Sequence, residues 1–200
     1  LATDHRARRP DASEPRSVAD YAHLVRHEAW SQAWDPDSRK TGPVHDVTGS
    51  LWSDAIERCL QENGSAWIPR MTAPVYLDRP IVLHSGNRLS VHPETEIRLR
   101  VGAVGTCMIR NAGIVFSPTR SVNLGAGADT GILIEGGIWS DQCNEGRGRG
   151  GAGDRDGSMP GSRGTFLLHN VSGIRVRHVR FRDCSAFAIQ LGNATDFVIE

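Results

Sequence analysis

The C-terminal stretch of the chain, residues 170–200, alternates between apolar and polar side chains in a series of short runs. A period of two predicts β-strands with one buried face. Because turn-forming residues separate the runs, the sequence predicts many short strands rather than a few long ones. The expected inward residues are Ile174, Val176, Val179, Phe181, Phe187, Ile189 and Leu191, and the outward ones are Arg175, Arg177, Arg180, Arg182 and Gln190.

These strands repeat at a fixed spacing. NVSGIRV, which begins at Asn170, maps onto NATDFVI, which begins at Asn193, and the offset from 170 to 193 is 23 residues. SGIRV at Ser172 also resembles TGILI at Thr130. A period in the low twenties, with about three short strands in each period, is typical of a parallel β-solenoid.

Two helices are predicted before the first strand. Apolar positions recur at helical spacing from Ser17 to Ala33, and a second amphipathic segment begins with a capping residue, Ser50, and ends at Asn63-Gly64. The second helix is expected to cover the open end of the core. We therefore divide the chain into residues 1–47, an N-terminal arm and helix, and residues 48–200, a capping helix and the first coils of a domain that continues beyond the segment.

Composition excludes several classes of partner. The sequence has 23 basic and 23 acidic residues, so neither nucleic acid nor an anionic membrane is an expected partner. No apolar run is long enough to span a membrane, and the mean hydropathy is −0.35. The four cysteines form no C-x-x-C pair, which argues against a structural zinc site or a thioredoxin-like redox centre. Their disulfide status stays open, and neither a metal nor a cofactor is expected.

Four segments together resemble a known family. They are similar, in chain order, to the N-terminal half of the pectin-degrading right-handed β-helix enzymes, and they read SLWSDAIERCLQENG, AWIPRMTAPVYLDRPIVLHSGNRLSVHPETEIRL, TGILIEGGIWS and RGTFLLHNVSGIRVRHVRFRDCSAFAIQL. The polygalacturonase-like glycoside hydrolases of family 28 match best. The resemblance implies an all-β fold, a right-handed single-stranded parallel β-helix with N-terminal capping helices, truncated at its C-terminal end. It also implies an extracellular or periplasmic location.

The same resemblance implies an activity and a site. As a full-length protein, the chain would hydrolyse glycosidic bonds in pectin-like, uronate-containing polysaccharides. The catalytic aspartates of the family are expected C-terminal to Glu200, so this segment alone is expected to be inactive. Arg163 matches the family arginine at the start of the cleft-side strand, and a guanidinium group can hold a uronate carboxylate. Gln190, outward on that strand one coil later, could bind sugar hydroxyls.

Other functions remain open at this level. A polysaccharide lyase or epimerase on the same fold is one alternative, and a non-catalytic carbohydrate-binding or tailspike-like β-helix is another. Asp183 and Asp196 are interpreted as turn residues that accept hydrogen bonds from nearby backbone N–H groups. The outward arginines are interpreted as a solvated face. The exact sugar, the linkage and the oligomeric state are not indicated.

Overall fold

The computed structural model describes residues 15–101, 103, 107–117, 120–124, 128–142, 164–184 and 187–200. Strands dominate these residues. A 3₁₀-helix (Val18–Leu24) and one α-helix, α1 (Ser53–Asn63), accompany them. The first seven strands are β1 (Arg26–Asp35), β2 (Lys40–Leu51), β3 (Ser65–Ile68), β4 (Val75–Leu77), β5 (Ile81–Leu83), β6 (Arg88–Leu99) and β7 (Ile109–Asn111). The others are β8 (Ile114–Ser117), β9 (Arg120–Leu124), β10 (Asp129–Thr130), β11 (Leu133–Ser140), β12 (Gly164–Arg177), β13 (Arg180–Arg182) and β14 (Phe187–Ile199).

Twelve of these strands form one mixed sheet that curves into a half-barrel. Its main path runs β1-β2-β4-β6-β11-β12-β7-β5, and β3, β10, β13 and β14 pair with strands of this path. The β1–β2 pair is antiparallel, whereas the pairings among the other strands of this sheet are parallel. Strands β8 and β9 form a separate antiparallel pair.

The predicted fold class, a right-handed single-stranded parallel β-helix with N-terminal capping helices, is wrong. The chain is all-β, as expected, but its sheet is mixed, because a long antiparallel hairpin is hydrogen-bonded into one edge and a second antiparallel pair lies outside the sheet. The sequence repeat relates strands that lie next to each other in parallel. The N-terminal hairpin has no counterpart in the repeat, so the repeat gives no indication of it.

The first predicted helix is also wrong. Residues 17–33 form the short 3₁₀-helix followed by most of β1, in which Trp30, Gln32 and Trp34 alternate as buried residues. The second helix exists, but it begins at Ser53. Ser50 belongs to β2, and its hydroxyl lies 3.0 Å from His27 Nδ1 instead of capping the helix. The predicted stop is confirmed, because Gly64 has φ +68° and donates to Leu60 O at 2.8 Å.

The core is built from apolar residues that are stacked from strand to strand. Ile97, Trp139 and Phe181 occupy equivalent positions in the parallel ladders of β6, β11 and β13. Phe166 packs edge-to-face on Trp139 and on Phe181, with centroid distances of 4.9 Å for both pairs. Between β12 and β14 the register places Asn170 next to Asn193, 23 residues apart, which agrees with the spacing of the sequence repeat.

The N-terminal hairpin, residues 26–51, packs against the ends of several strands. It reaches residues one or two positions after the ends of β4, β6, β11 and β13, four strand segments stacked in that order in the sheet. In order along the hairpin, the contacts are Arg26 with Asp78, Glu28 with Arg100 at 2.6 Å, Gln32 with Gln142 at 3.3 Å, and Arg39 with Asp183 at 2.6 Å. The hairpin therefore ties successive layers of the sheet together.

Candidate functional site

The candidate site lies on the outward face of β7, β12 and β14. Phe166 pairs in register with Ile109 and Ile189, and these residues face the core. Because side chains alternate along a strand, the next residues face away from it. They form a row in which Leu167 pairs with Arg110 on one side and with Gln190 on the other. The outward position predicted for Gln190 is therefore observed.

Gln190 has an unsatisfied polar atom. Its Oε1 is buried and has no hydrogen-bond partner among the residues that the structure describes. The neighbouring His169, two residues after Leu167 on the same face, has a buried Nδ1 that likewise lacks a partner within the described ranges. Strand geometry places the Cα atoms of these two residues roughly 8 Å apart. Two adjacent side chains thus present unpaired polar atoms on one face.

A glycine makes room for the His169 ring. Gly192 pairs with His169 in the parallel ladder, and a Cβ atom at position 192 would lie 2.2 Å from His169 Cδ2. Any larger residue would displace the imidazole. Sequence reasoning missed His169, although it has the outward parity of Gln190 in the same alternating pattern. The alternating pattern indicates which residues lie on the outward face, but it does not show which of their polar atoms lack hydrogen-bond partners.

Arg110 borders this face at its other end. Burial lowers the pKa of its guanidinium group, and the carbonyl oxygens of Asn111 and Ile114 accept hydrogen bonds from Nη1 at 3.4 and 3.0 Å. Leu167, between Arg110 and Gln190, is fully buried against Cys107 and Ile114. The middle of the row is therefore closed, and two partly exposed residues of the face, His169 and Gln190, lie toward β14.

The predicted substrate-binding residue Arg163 lies outside the described residues, although β12 begins at the next residue, Gly164. The described residues therefore do not test a joint role of Arg163 and Gln190.

The two aspartates interpreted as turn residues have left-handed backbones, with φ +52° for Asp183 and +48° for Asp196. Their described partners are arginine side chains rather than nearby N–H groups. Arg39 lies 2.6 Å from Asp183, and Arg175 lies 3.1 Å from Asp196. The turn placement is confirmed for Asp183, which lies in a bend after β13, whereas Asp196 lies within β14. Both aspartates form ion pairs with arginines that are distant in the sequence.

The outward arginine stripe is paired with acceptors of the protein itself. The partners are Asp196 for Arg175, Glu200 for Arg177 at 2.8 Å, the Pro93 carbonyl for Arg180 and Glu96 for Arg182 at 3.7 Å. Because each guanidinium group already has an anionic or carbonyl partner, this stripe is a poor candidate for binding an acidic polymer.

Two further classes of site receive no support from the described residues. Within them, no three His, Cys, Asp or Glu side chains come close enough to hold a metal ion. The helices in the same ranges are too short or too polar to cross a membrane.

Comparisons with known proteins give one distant structural relative. No family model matches the chain, and no curated protein matches it. The chain is similar to the crystal structure of PfbA, a surface adhesin of Streptococcus pneumoniae, with a TM-score of 0.51 and 15% sequence identity. The match covers 89% of this chain and 37% of the adhesin chain. At this identity the likeness concerns the fold alone.

Proposed function

We propose that the outward face of β7, β12 and β14 binds a glycan through Gln190 and His169. One observation carries the proposal: two adjacent side chains on this face have buried polar atoms, Gln190 Oε1 and His169 Nδ1, without partners among the described residues. A buried polar atom without a hydrogen bond costs about 1–3 kcal/mol. Native proteins contain few such atoms, so each one calls for an explanation.

The chemistry of the two side chains suits a sugar. A hydroxyl group both donates and accepts hydrogen bonds, so it can donate to Gln190 Oε1 and can satisfy His169 Nδ1 in either tautomer. Amide and imidazole groups form a small set of directional contacts, which is the usual composition of the polar part of a ligand site. The description of the structural relative as a surface adhesin supports a binding role in general terms.

A more specific form of the proposal is that the protein also hydrolyses the glycan. Acid–base cleavage of a glycosidic bond needs two carboxyl groups roughly 5–9.5 Å apart. None of the outward positions of the described face is a carboxylate; they are Arg110 on β7, Thr165, Leu167 and His169 on β12, and Ala188, Gln190 and Gly192 on β14. The polygalacturonase-like activity implied by the sequence resemblance would thus depend on aspartates beyond Glu200, in a longer protein. The described residues favour binding.

The experiment measures glycan binding and folding stability together. Oligogalacturonides and neutral oligosaccharides are titrated into the chain by isothermal calorimetry, for the wild type, Gln190→Leu and His169→Ala. Gln190→Leu is informative because it removes the unsatisfied oxygen. We expect weaker glycan binding by about tenfold, with an unfolding free energy equal to or up to about 1 kcal/mol above that of the wild type.

A control variant lies far from this face. Arg58→Ala changes an exposed residue of α1 that pairs with Glu62 at 2.9 Å, and it should leave the affinity unchanged. Wild-type protein that binds none of the glycans, or Gln190→Leu protein that binds as tightly as the wild type, would overturn the proposal. Reducing-end release, compared with the absorbance of unsaturated products, separates hydrolysis from elimination in a longer protein.

A further inference from the structure

A groove of about 730 Å³ lies between the N-terminal hairpin and the outward side of β4 and β6. Its lining includes Tyr76 and Arg98 from the sheet, and Gln32, Lys40 and His45 from the hairpin. None of these residues belongs to the face of β7, β12 and β14. The volume falls within the range of about 300–1,000 Å³ that is usual for small-molecule sites.

An irregularity in the hairpin opens this groove. The ladder pairs Gln32 with His45 but Trp34 with Thr41, so β2 contains two more residues than β1 in this interval. The extra residues widen the hairpin at Gly42 and Pro43, both of which line the groove. Such bulges interrupt the ladder and re-aim side chains, and they are frequent next to functional sites.

Arg98 brings an unpaired donor to the groove. Its Nη2 donates to Glu96 at 2.9 Å and its Nη1 donates to the Tyr76 hydroxyl at 3.3 Å. Its Nε is buried and has no acceptor in the described part of the chain. Glu96 also lies 3.7 Å from Arg182, so one carboxylate is shared between two guanidinium groups. This cluster keeps a positive charge.

Lys40 adds a second cation at the rim. It is the sole lysine in the sequence, it is exposed, and it lines the groove from the start of β2. Its ammonium group carries three donors and no acceptor. Arg98 and Lys40 therefore both contribute N–H donors to the lining, one from the sheet and one from the hairpin.

The acidic groups of the lining are unequal. Asp35 is held by the hairpin turn, where the Ser38 hydroxyl and the Asp37 N–H hydrogen-bond to its carboxylate and lower its pKa. Its oxygens are therefore engaged, although its negative charge remains. Asp37 is exposed at the rim, and its charge also opposes an anion in the groove. Removal of the Asp37 charge should therefore strengthen anion binding.

We propose that this groove is a second ligand site and that it takes a small organic anion with a carboxylate or phosphate group. The anionic oxygens accept hydrogen bonds from Arg98 Nε and from the Lys40 ammonium group. Charge-assisted bonds of this type are stronger than neutral ones and restore an acceptor to the buried donor. The site is independent of the glycan proposal, because it uses different strands and different side chains.

The single lysine supplies a direct probe. Reductive ¹³C-methylation of the chain labels Lys40 and the N-terminal amine, and NMR then follows both signals. Citrate tests the carboxylate source, pyrophosphate tests the phosphate source, and galactose serves as the neutral control. We expect a saturable shift of the Lys40 signal with at least one of the anions at millimolar concentration, and no shift with galactose.

Three variants test the electrostatic assignment. Asp37→Asn should tighten anion binding about threefold or more, because it removes the opposing charge. Lys40→Gln, followed by backbone amide shifts of the groove residues, should weaken binding about tenfold. Arg70→Gln removes an exposed cation outside the groove, one that pairs with Glu94 at 2.8 Å, and should change nothing. A linear, non-saturating response to both anions, or weaker binding by Asp37→Asn, would overturn the proposal.

Discussion

Arg39 and Asp183, separated by 144 residues in the sequence, form an ion pair in which Arg39 Nε lies 2.6 Å from Asp183 Oδ1. The two partners differ sharply in exposure: the Arg39 side chain is 60% exposed and that of Asp183 is 3% exposed. The second carboxylate oxygen of Asp183 is buried, with no hydrogen-bond partner in the described ranges. The tip of the hairpin thus neutralises a carboxylate that is otherwise enclosed by the protein.

We expect Arg39→Ala to lower the unfolding free energy more than Asp183→Asn does. Arg39→Ala leaves a buried carboxylate without its cation, and we expect a loss of about 1–3 kcal/mol in unfolding free energy, a range reduced for the exposure of Arg39. Asp183→Asn keeps the shape and removes the charge, so it should cost less. Urea unfolding of both variants and of the double variant gives the coupling energy. Additive effects would contradict the assigned pairing.

Gly136 is a backbone position that no other residue can occupy without strain. Its φ is +75°, and a Cβ atom there would lie 2.1 Å from Val91 O in the neighbouring strand. We expect Gly136→Ala to lower the unfolding free energy by more than about 2 kcal/mol. Gly42→Ala is the matched control, because a Cβ at position 42 meets nothing within 4 Å and should change stability by less than about 0.5 kcal/mol. Equal effects would contradict this prediction.

The Cys59 thiol should be unreactive in the folded protein. Burial raises its pKa from 9.0 to about 11, so the reactive thiolate is scarce near pH 8. Maleimide labelling, located by mass spectrometry, should modify Cys59 only after unfolding in urea. Cys184, which is only partly buried, serves as the internal comparison.

The same thiol makes a contribution to stability that depends on pH. Folding favours the neutral form, so the contribution is full below the unfolded pKa of 9.0 and disappears as the pH rises toward about 11. Cys59→Ala should show a shallower loss of stability across this interval in thermal melts. A Cys59→Ala variant whose profile parallels that of the wild type would show that Cys59 does not titrate in this way.

The sequence predicts the local elements where one signal dominates. Helix α1 has an apolar stripe and an Asn63-Gly64 stop, and both features are observed. The segment around Trp30 fits two periods, because Val25, Ala29 and Ala33 match a helix while Trp30, Gln32 and Trp34 match a strand. Trp30 packs on Tyr76 with a centroid distance of 4.8 Å, and this long-range contact favours the strand. A local sequence pattern carries no information about such a long-range contact.

For the candidate site, too, some features could be predicted from the sequence and others could not. The outward parity of Gln190 follows from alternation and could be predicted from the sequence. Within the described residues, its Oε1 and the Nδ1 of His169 have no partners, and this depends on how neighbouring strands bury the two atoms. The groove under the hairpin could not be predicted, because the sequence-based expectation placed a helix where β1 forms one of its walls.

The hairpin imposes an order on folding during synthesis. Its tip is translated 144 residues before Asp183, and at about 5–20 residues per second the ribosome needs roughly 7–30 s to cover that distance. During this interval Arg39 lacks its partner Asp183, and the hairpin is held by contacts with earlier strands, among them Arg26 with Asp78, Glu28 with Arg100 and Trp30 with Tyr76. The contact between Arg39 and Asp183 can form only after β13 has been made, so closure of the hairpin tip marks a late stage of assembly.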